Sequence, residues 1–245
     1  MSIYVIGDLH LSFNEDKPMD IFGDNWSGHE EKIKKDWIEK VTDNDVVILP
    51  GDFSWSMKLE DTEKDFEFIN KLPGQKLLLK GNHDYWWNTI TKMKKFLEEK
   101  EFNNIDFIYN TGFIFENYIV AGTRGWSLLE EDKDEKVLNR ELARLETSIK
   151  HGLQKALSCE NDEEQKVHGQ KELIVFMHYP PISNTKILNH EEAQFVEIMK
   201  KYNVKKCFYG HLHGASIKDA FEGEFEGIEF KLISADGLDF KLYKI

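Results

Sequence analysis

Cysteine is scarce in this sequence, and long hydrophobic runs are absent. Cys159 and Cys207 are the only cysteines among 245 residues, which argues against a disulfide framework or a paired-cysteine metal site and fits a reducing compartment. No stretch approaches the roughly 18 apolar residues of a membrane-spanning helix. The N-terminus has no basic segment and reaches Asp8 after a short apolar run, so we expect no signal peptide. These absences predict a soluble, cytoplasmic protein without membrane contact.

Positive charge is also in short supply. Lys and Arg number 32 against 45 Asp and Glu, which gives a net charge of −13. A surface of this sign repels polyanions, so long nucleic acids and anionic membranes are poor candidate partners. A small phosphate ester can still be captured locally by bound cations. The sequence gives no indication of a protein partner.

Short apolar runs alternate with longer amphipathic segments along the chain. With 40% hydrophobic residues, a core is feasible, and this alternation predicts an α/β fold with a largely parallel sheet and crossover helices. The predicted buried strands are Ile3–Ile6, Val46–Leu49, Lys76–Leu79, Leu173–Met177 and Lys206–Tyr209. The predicted helices are Glu30–Val41, Glu60–Leu72, Thr89–Lys100 and Glu191–Tyr202.

Two further regions have the pattern of hairpins. Phe107–Phe115 and Tyr118–Gly122 flank Glu116-Asn117, and Ile228–Ile233 and Leu238–Tyr243 flank Asp236-Gly237. Residues 130–170 interrupt the alternation: leucines at helical spacing predict a helix, followed by a polar, exposed loop over Ser158–Gln170. This segment has too few apolar residues for a core of its own. We therefore expect a helical insertion in a single domain that spans residues 1–245.

Five short motifs begin where the five predicted buried strands end. They are Gly7-Asp8-Leu9-His10, Gly51-Asp52, Gly81-Asn82-His83-Asp84, His178 and Gly210-His211-Leu212-His213. In open α/β sheets, active sites lie outside the carboxyl ends of the strands, so the motifs should converge on one rim. The glycines that precede four of the motifs allow unusual backbone angles and close approach of the backbone.

The side chains in these motifs suit transition metals. Carboxylate, amide oxygen and imidazole donors favour Mn, Fe, Zn, Ni or Co. If the segments are extended, the i, i+2 spacing of Asp8 and His10, and of His211 and His213, puts each pair on one face. Two cations about 3.5–4 Å apart can clamp a phosphate and acidify a bridging water. Asp52 is the central candidate for a bridging ligand.

Taken singly, each motif has an ordinary structural explanation. A lone Gly-Asp is most often a turn, and a lone His-x-His is most often a pair of surface or core histidines. The complete ordered set, which uses five of the nine histidines, favours one convergent metal site.

This ordered set resembles the calcineurin-like metallophosphoesterase family. The family pattern is Gly-Asp-x-His, Gly-Asp, Gly-Asn-His-Asp/Glu, a lone His and Gly-His-x-His, and the match here runs from Gly7 to His213 with every ligand position filled. The resemblance implies a four-layer α-β-β-α sandwich with mostly parallel central strands. It also implies two divalent or trivalent metal ions and hydrolysis of phosphomonoesters or phosphodiesters, with a metal-bound hydroxide attacking phosphorus.

The resemblance also assigns roles to individual residues. It implies one metal held by Asp8, His10, Asp52 and His213, and a second held by Asp52, Asn82, His178 and His211. His83 would protonate the leaving alkoxide, with Asp84 orienting its ring. An imidazole with a pKa near 6.5 can be kept protonated by a neighbouring carboxylate and donate at neutral pH. The alternatives for His83 are a further metal ligand or a hydrogen-bond donor to phosphate.

Departures from the family bear on the substrate. The protein serine/threonine phosphatase branch continues its second motif with Val-Asp-Arg-Gly, whereas this chain has Phe53-Ser54-Trp55, and it contains only three arginines. A phosphoprotein substrate is therefore disfavoured, and a small phosphorylated substrate is expected.

Substrate contacts are predicted around the motifs. Arg124 lies between glycines after an apolar strand and could bind a phosphate oxygen, with a structural ion pair as the alternative. Trp26 and His29 lie in the loop Leu11–His29, which could close over the substrate. Each of the nearby tryptophans is either a pocket wall that stacks an aromatic group or a packing residue.

Two other classes of function stay open at this point. The chain could be a metal-binding scaffold or regulatory protein that does not catalyse, although such proteins are expected to lose ligands and none is lost here. A different metallohydrolase, such as an amidase, is a weaker alternative.

Overall fold

The chain folds into two mostly parallel β-sheets with helices. The computed structural model describes residues 1–15, 17–127, 134–160, 171–184 and 193–245. The chain divides into two compact units. Unit 1 comprises residues 1–107, 210–218 and 233–245, and unit 2 comprises residues 108–209 and 219–232.

The described strands and helices are as follows. The strands are β1 (Ile3–Val5), β2 (Val46–Pro50), β3 (Gln75–Leu79), β4 (Ile105–Phe107), β5 (Phe113–Ile114), β6 (Tyr118–Thr123), β7 (Glu172–Met177), β8 (Lys206–Tyr209), β9 (Gly223–Phe225), β10 (Ile228–Leu232) and β11 (Tyr243–Lys244). The α-helices are α1 (His29–Lys40), α2 (Glu63–Asn70), α3 (Ile90–Glu99), α4 (Glu135–Glu160) and α5 (Gln194–Lys201).

The sheet of unit 1 has the strand order β11-β1-β2-β3-β4. Strands β1 to β4 are parallel, and β11 pairs antiparallel with β1. All residues of β2 are buried, as expected for a parallel strand with both faces covered. Trp37 of α1, Phe66 of α2 and Phe96 of α3 join the apolar core of this unit. This packed core therefore holds the carboxyl ends of β1, β2 and β3 in fixed positions.

The sheet of unit 2 has the strand order β5-β6-β7-β8-β10-β9. Its four central strands, β6, β7, β8 and β10, are parallel, and its two edge strands are antiparallel. The five strands predicted to form one rim are thus divided, because β1, β2 and β3 belong to one sheet and β7 and β8 to the other. The expectation of a single sheet rim is wrong, because β7 and β8 pair with each other and with β6 and β10, and not with the strands of unit 1.

Helix α4 confirms the helix predicted from the leucine spacing. It lies in sequence between the parallel neighbours β6 and β7, and parallel strands require such a crossover connection. It packs on β6, and Gly152 allows this, since a Cβ there would lie 2.7 Å from Ile119 Cγ2. Helix α4 is therefore the crossover helix between β6 and β7 and belongs to the α/β alternation. Most of the predicted loop Ser158–Gln170 lies outside the described residues.

The predicted tail hairpin is wrong. Strand β10 pairs parallel with β8 and antiparallel with β9 across a turn at Glu226-Gly227, and β11 pairs with β1. Both turn residues have positive φ, 53° and 77°, which is the geometry of a tight hairpin turn. The other predicted hairpin is confirmed only for β5 and β6, because Ile105–Phe107 is a separate strand of unit 1.

The α/β fold with mostly parallel strands is confirmed. The predicted helices α1, α3 and α5 match to within a few residues, except that residues 191–192 lie outside the described part of the chain. The helix predicted over Glu60–Leu72 is split into a 3₁₀ helix, Leu59–Thr62, and α2. Within the described residues, no helix combines the length and apolar character needed to cross a membrane. The assignment of residues 1–245 to a single domain stays a prediction.

Candidate metal centre

The backbone of unit 1 holds Asp8 and Asp52 side by side. The amide of Asp8 donates to the carbonyl of Gly51 at 3.0 Å, and the amide of His10 donates to the carbonyl of Asp52 at 2.9 Å. The loops that follow the neighbouring parallel strands β1 and β2 are therefore joined by hydrogen bonds. Both carboxylates are buried, at the carboxyl end of the unit 1 sheet.

Four of the predicted ligands have left-handed backbone conformations. The φ angles are 59° for Asp8, 47° for His10, 48° for Asp52 and 74° for His211. Non-glycine residues adopt this region rarely, at a cost on the order of 1–3 kcal/mol each, and such strain clusters at functional sites. The extended segments predicted for the two i, i+2 pairs are therefore wrong. Instead, Leu9 is buried in the core between Asp8 and His10.

Two glycines allow the backbone to lie against the carboxylates. A Cβ on Gly81 would lie 2.1 Å from Oδ1 of Asp52, and a Cβ on Gly210 would lie 2.1 Å from Oδ2 of Asp8. Any side chain at either position would displace a carboxylate. The close approach expected of these glycines is therefore present in the structure.

Asp8, His10 and His213 bring three potential ligand atoms together. Nε2 of His213 lies 3.2 Å from Oδ1 of Asp8 and 3.3 Å from Nε2 of His10. One donor atom from each of the three residues lies within 4.8 Å of the other two. Nε2 of His10 is also 3.8 Å from Oδ2 of Asp52. The first predicted ligand set is thus assembled within unit 1.

The charge balance of this cluster favours a cation. Burial, followed by the charges of Asp84 and Asp8, raises the pKa of Asp52 well above its usual range. Burial opposes protonation of His213, but the Asp8 and Asp236 carboxylates outweigh it and raise the pKa of His213 to about 10. Buried carboxylates without enough positive charge are costly. A divalent cation would supply that charge, and the oxygen and nitrogen donors present suit a transition metal.

Asn82 and His211 form a second pair of donors in unit 1. Nδ1 of His211 lies 2.9 Å from Oδ1 of Asn82. The backbone amide of His211 also donates to both oxygens of the Asp8 carboxylate, at 3.0 and 3.2 Å. The amide of His83 donates to Oδ1 of Asp52 at 2.8 Å. The second predicted set is therefore represented in unit 1 by Asn82, His211 and Asp52.

His178 and Arg124 belong to unit 2. His178 is buried directly after β7, and its backbone amide donates to the carbonyl of Arg124 at 3.2 Å. Nη2 of Arg124 is 3.8 Å from Glu141, and its guanidinium lies 5.0 Å from the centre of the Trp126 ring. Burial lowers the pKa of Arg124, with Glu141 opposing. The structural ion pair that was the alternative role of Arg124 is therefore present, but its nitrogen–oxygen distance is long.

Glu141 is held more closely by other residues. Nη1 of Arg144 lies 2.6 Å from it, and the hydroxyl of Thr123 donates to it at 2.7 Å. Arg144 is half-buried and also donates to the hydroxyl of Tyr109. Nε of Arg124 is buried and lacks a hydrogen-bond partner among the described residues. Arg124 thus keeps hydrogen-bonding capacity that Glu141 does not use.

The structure corrects the role expected of Asp84. Its buried carboxylate accepts hydrogen bonds from four N–H groups, those of Phe53, Ser54, Gly81 and the Trp86 indole. Burial raises the pKa of Asp84 to about 6, and these hydrogen bonds oppose the increase. Asp84 therefore ties the loop after β2 to the loop after β3. Within the described part of the chain it makes no hydrogen bond to the His83 ring.

The His83 ring lies among aromatic side chains. Its centre is 4.6 Å from the Trp55 ring and 5.9 Å from the His10 ring. Burial lowers the pKa of His83 and outweighs the opposing charge of Asp8, so the expectation that a neighbouring carboxylate keeps this ring protonated is wrong for the metal-free protein. Nδ1 is buried without a hydrogen-bond partner among the described residues, which leaves Nε2 as the candidate proton donor.

Asp236 is a candidate positioning residue that the sequence did not reveal. Its Oδ1 lies 2.8 Å from Nδ1 of His213, and its Oδ2 accepts the amide of Gly214 at 2.8 Å. A carboxylate on one ring nitrogen orients a histidine so that the other nitrogen can bind metal. In the sequence, Asp236-Gly237 had the pattern of an ordinary turn, and no local signal linked it to His213.

The two substrate contacts predicted in the loop Leu11–His29 are Trp26 and His29, and their surroundings differ. Trp26 is buried with its ring 5.9 Å from His10 and 5.6 Å from His213. His29 begins α1, and its two ring nitrogens lie 3.1 Å and 3.0 Å from the carbonyls of Trp26 and Leu9. The ring of His29 therefore fastens the loop to the first motif, and neither nitrogen is available to a substrate. Asp16 lies outside the described residues.

Comparison with known proteins identifies one family. A family model described as calcineurin-like phosphoesterase matches residues 1–215. No curated protein matches the chain.

Similar solved structures share the fold at low sequence identity. A protein from Thermus thermophilus is 12% identical with a TM-score of 0.54, covering 100% of this chain and 97% of its own. A protein from Aquifex aeolicus is 19% identical with a TM-score of 0.51, covering 99% and 95%. The phosphopantetheinyl hydrolase of Mycobacterium tuberculosis is 12% identical with a TM-score of 0.50, covering 100% and 95%. At these identities the likeness concerns the fold alone.

Proposed function

The chain belongs to the calcineurin-like phosphoesterase family, and from this premise we propose that it hydrolyses small phosphomonoesters or phosphodiesters at a dinuclear metal centre. The observation that carries the proposal is the convergence of Asp8, His10 and His213, with Asp52 beside them, on strained backbone in unit 1. Strain at four ligand positions is difficult to explain by folding alone, because stability would favour its removal.

The proposed ligands follow the two predicted sets. One ion would be held by Asp8, His10, Asp52 and His213, and the other by Asp52, Asn82, His178 and His211. When bound, two such ions supply positive charge to a phosphate group and acidify a water molecule. Mn, Fe, Zn, Ni and Co all suit these donors.

The remaining residues position the substrate and move a proton. We propose that Nε2 of His83 donates its proton to the leaving oxygen as the phosphorus–oxygen bond breaks. Asp84 fixes the loop that carries His83 through its bonds to the amides of Gly81 and Ser54. Arg124 is proposed to contact a phosphate oxygen and Trp26 to contact the organic part of the substrate. A cytoplasmic location remains part of the proposal, on the sequence evidence.

Hydrolysis of model esters tests the proposed function directly. The Mn²⁺-reconstituted protein is expected to hydrolyse p-nitrophenyl phosphate, bis-p-nitrophenyl phosphate or both, and a chelator is expected to stop the reaction. Release of nitrophenol is followed by absorbance. Failure on both esters despite bound metal contradicts the proposal, and if a broad ester panel is also negative, a non-catalytic metal-binding scaffold becomes the better account.

Removing the carboxylate of Asp236 is expected to weaken metal binding. Without it, the His213 ring loses the acceptor that fixes its orientation, so Asp236→Ala should lower Mn²⁺ affinity by about 10–100-fold. Asp236→Asn keeps an oxygen acceptor and should fall between the wild type and the alanine variant. Calorimetric titration of Mn²⁺ into metal-free protein measures the effect.

Asp239→Asn is the matched control for this series. Asp239 lies on the same segment, and its exposed side chain pairs only with Lys241 among the described residues. Its substitution should leave Mn²⁺ affinity at the wild-type value. Equal affinities in the Asp236→Ala variant and this control would show that Asp236 does not position a ligand.

A further inference from the structure

A cavity of about 280 Å³ lies in unit 1 against the candidate ligands. Its lining includes His83 and His213 together with the apolar side chains of Met19, Phe22, Trp26 and Trp55. None of its described lining residues is a carboxylate. The cavity therefore adjoins the proposed reaction site but has an apolar character.

The aromatic walls of this cavity are held in place. The Trp55 ring stacks on His10 with centroids 4.9 Å apart and planes 22° from parallel. Its indole N–H is directed to the sulfur of Met19 at 3.1 Å, and the ammonium of Lys17 lies 5.1 Å from the centre of its ring. Trp26 is fixed by burial and by edge contacts to His10 and Phe240. Rings fixed before binding lose little entropy when a ligand stacks on them.

The outer wall is an apolar side chain exposed to solvent. Phe22, at the end of the 3₁₀ helix Met19–Phe22, is 61% exposed although it lines the cavity. A flat apolar group placed in the cavity would cover part of this ring and gain from its burial. The volume is below the roughly 300–1,000 Å³ of typical small-molecule pockets, which favours one compact group over a polymer.

We propose that this cavity binds a planar aromatic group of the substrate, so that the preferred ester is a small aromatic phosphate ester. The inference rests on the proposed function, because the phosphate would occupy the adjoining metal centre. Stacking of an aromatic pair is worth about two- to tenfold in affinity beyond simple apolar burial. Trp55 and Phe22 are the specificity-determining residues, and neither is a proposed ligand.

Phosphonates test this selectivity without any hydrolysis. Phenylphosphonate, cyclohexylphosphonate and methylphosphonate carry the same phosphorus group and differ only in the attached carbon group. With Mn²⁺-loaded protein, calorimetry is expected to give about two- to tenfold tighter binding of phenylphosphonate than of cyclohexylphosphonate. Methylphosphonate should bind more weakly than either, because it lacks the apolar group as well. In Phe22→Ala the phenyl-to-methyl ratio should fall several-fold, with methylphosphonate binding unchanged.

Ile21→Ala is the matched control. Ile21 is 73% exposed on the same 3₁₀ helix but does not line the cavity, so all three affinities should equal those of the wild type. Equal binding of phenyl- and methylphosphonate overturns the aromatic pocket while leaving the phosphoesterase proposal intact. Equal binding of phenyl- and cyclohexylphosphonate overturns the preference for a planar group. If no phosphonate binds, the aromatic pocket is overturned, and hydrolysis of the two nitrophenyl esters decides separately whether the proposed function stands.

Discussion

Replacing Asp52 by Asn is expected to abolish hydrolysis and metal binding together while making the metal-free protein more stable. Asp52 is the proposed bridge between two ions, and a neutral amide cannot hold them in its place. Because metal ions supply several kcal/mol to such reactions, turnover should fall about a thousandfold or more. Metal content by mass spectrometry and initial rates on p-nitrophenyl phosphate measure the two losses.

The gain in stability has a separate cause. Asp52 is buried near the carboxylates of Asp84 and Asp8, and burial and these charges raise its pKa well above its usual range. In the metal-free protein at neutral pH, the cost of ionising Asp52 in the folded state therefore lowers the free energy of unfolding, because the unfolded chain carries this charge in water. Asparagine removes this charge and keeps an oxygen to accept the amide of His83. If the gain is about 1 kcal/mol, the midpoint of thermal unfolding should rise by roughly 2–4 °C.

Asp45→Asn is a matched control whose expected effect on thermal stability has the opposite sign. Asp45 is also buried, but its carboxylate accepts the amides of Ser2 and Thr42, at 2.6 and 2.9 Å. Its substitution should lower thermal stability and leave metal content and turnover unchanged. If Asp52→Asn destabilises the metal-free protein as Asp45→Asn does, Asp52 has a structural role. If the Asp52→Asn variant retains both metals, Asp52 is not the bridging ligand.

The sequence identified the candidate ligands, but it did not predict the path of the backbone between them. Asp8, His10 and His213 were found because their residue types are rare in combination and each follows an apolar strand. Their convergence in unit 1 depends on left-handed turns at Asp8 and His10. Such turns leave little trace in a sequence, because only glycine, and to a lesser degree Asn and Asp, signal positive φ.

Pairings between distant segments of the chain were the other feature that the sequence did not predict. Periodicity identified most of the longer strands, but the partner of each strand depends on contacts between distant segments. The tail shows this, since β10 pairs with β8 and β9 and not with the residues that follow it. Asp236 was missed for the same reason, because its partner His213 lies 23 residues away. Asp84 was expected to orient His83 from the family resemblance, whereas its hydrogen bonds join two loops.

Replacing His83 by Ala is expected to slow hydrolysis without loss of metal. The contact between His83 and Asp52 uses the backbone amide, so truncation of the ring leaves the proposed bridge in place. General acid catalysis contributes about 10²–10⁴-fold, and phenyl phosphate, whose leaving group needs a proton, should lose a factor in this range. p-Nitrophenyl phosphate should lose much less, because nitrophenolate leaves without protonation.

The ratio of the two rate losses separates the three possible roles of His83. Similar losses on both esters, with metal content intact, would identify a hydrogen-bond donor to phosphate, since that contact does not depend on the leaving group. Loss of metal would identify a ligand. His151→Ala provides the control, because that ring contacts the backbone of Gly112 in unit 2 and its removal should change neither rate. Only a loss concentrated on phenyl phosphate, with both ions retained, supports proton donation from Nε2 of His83.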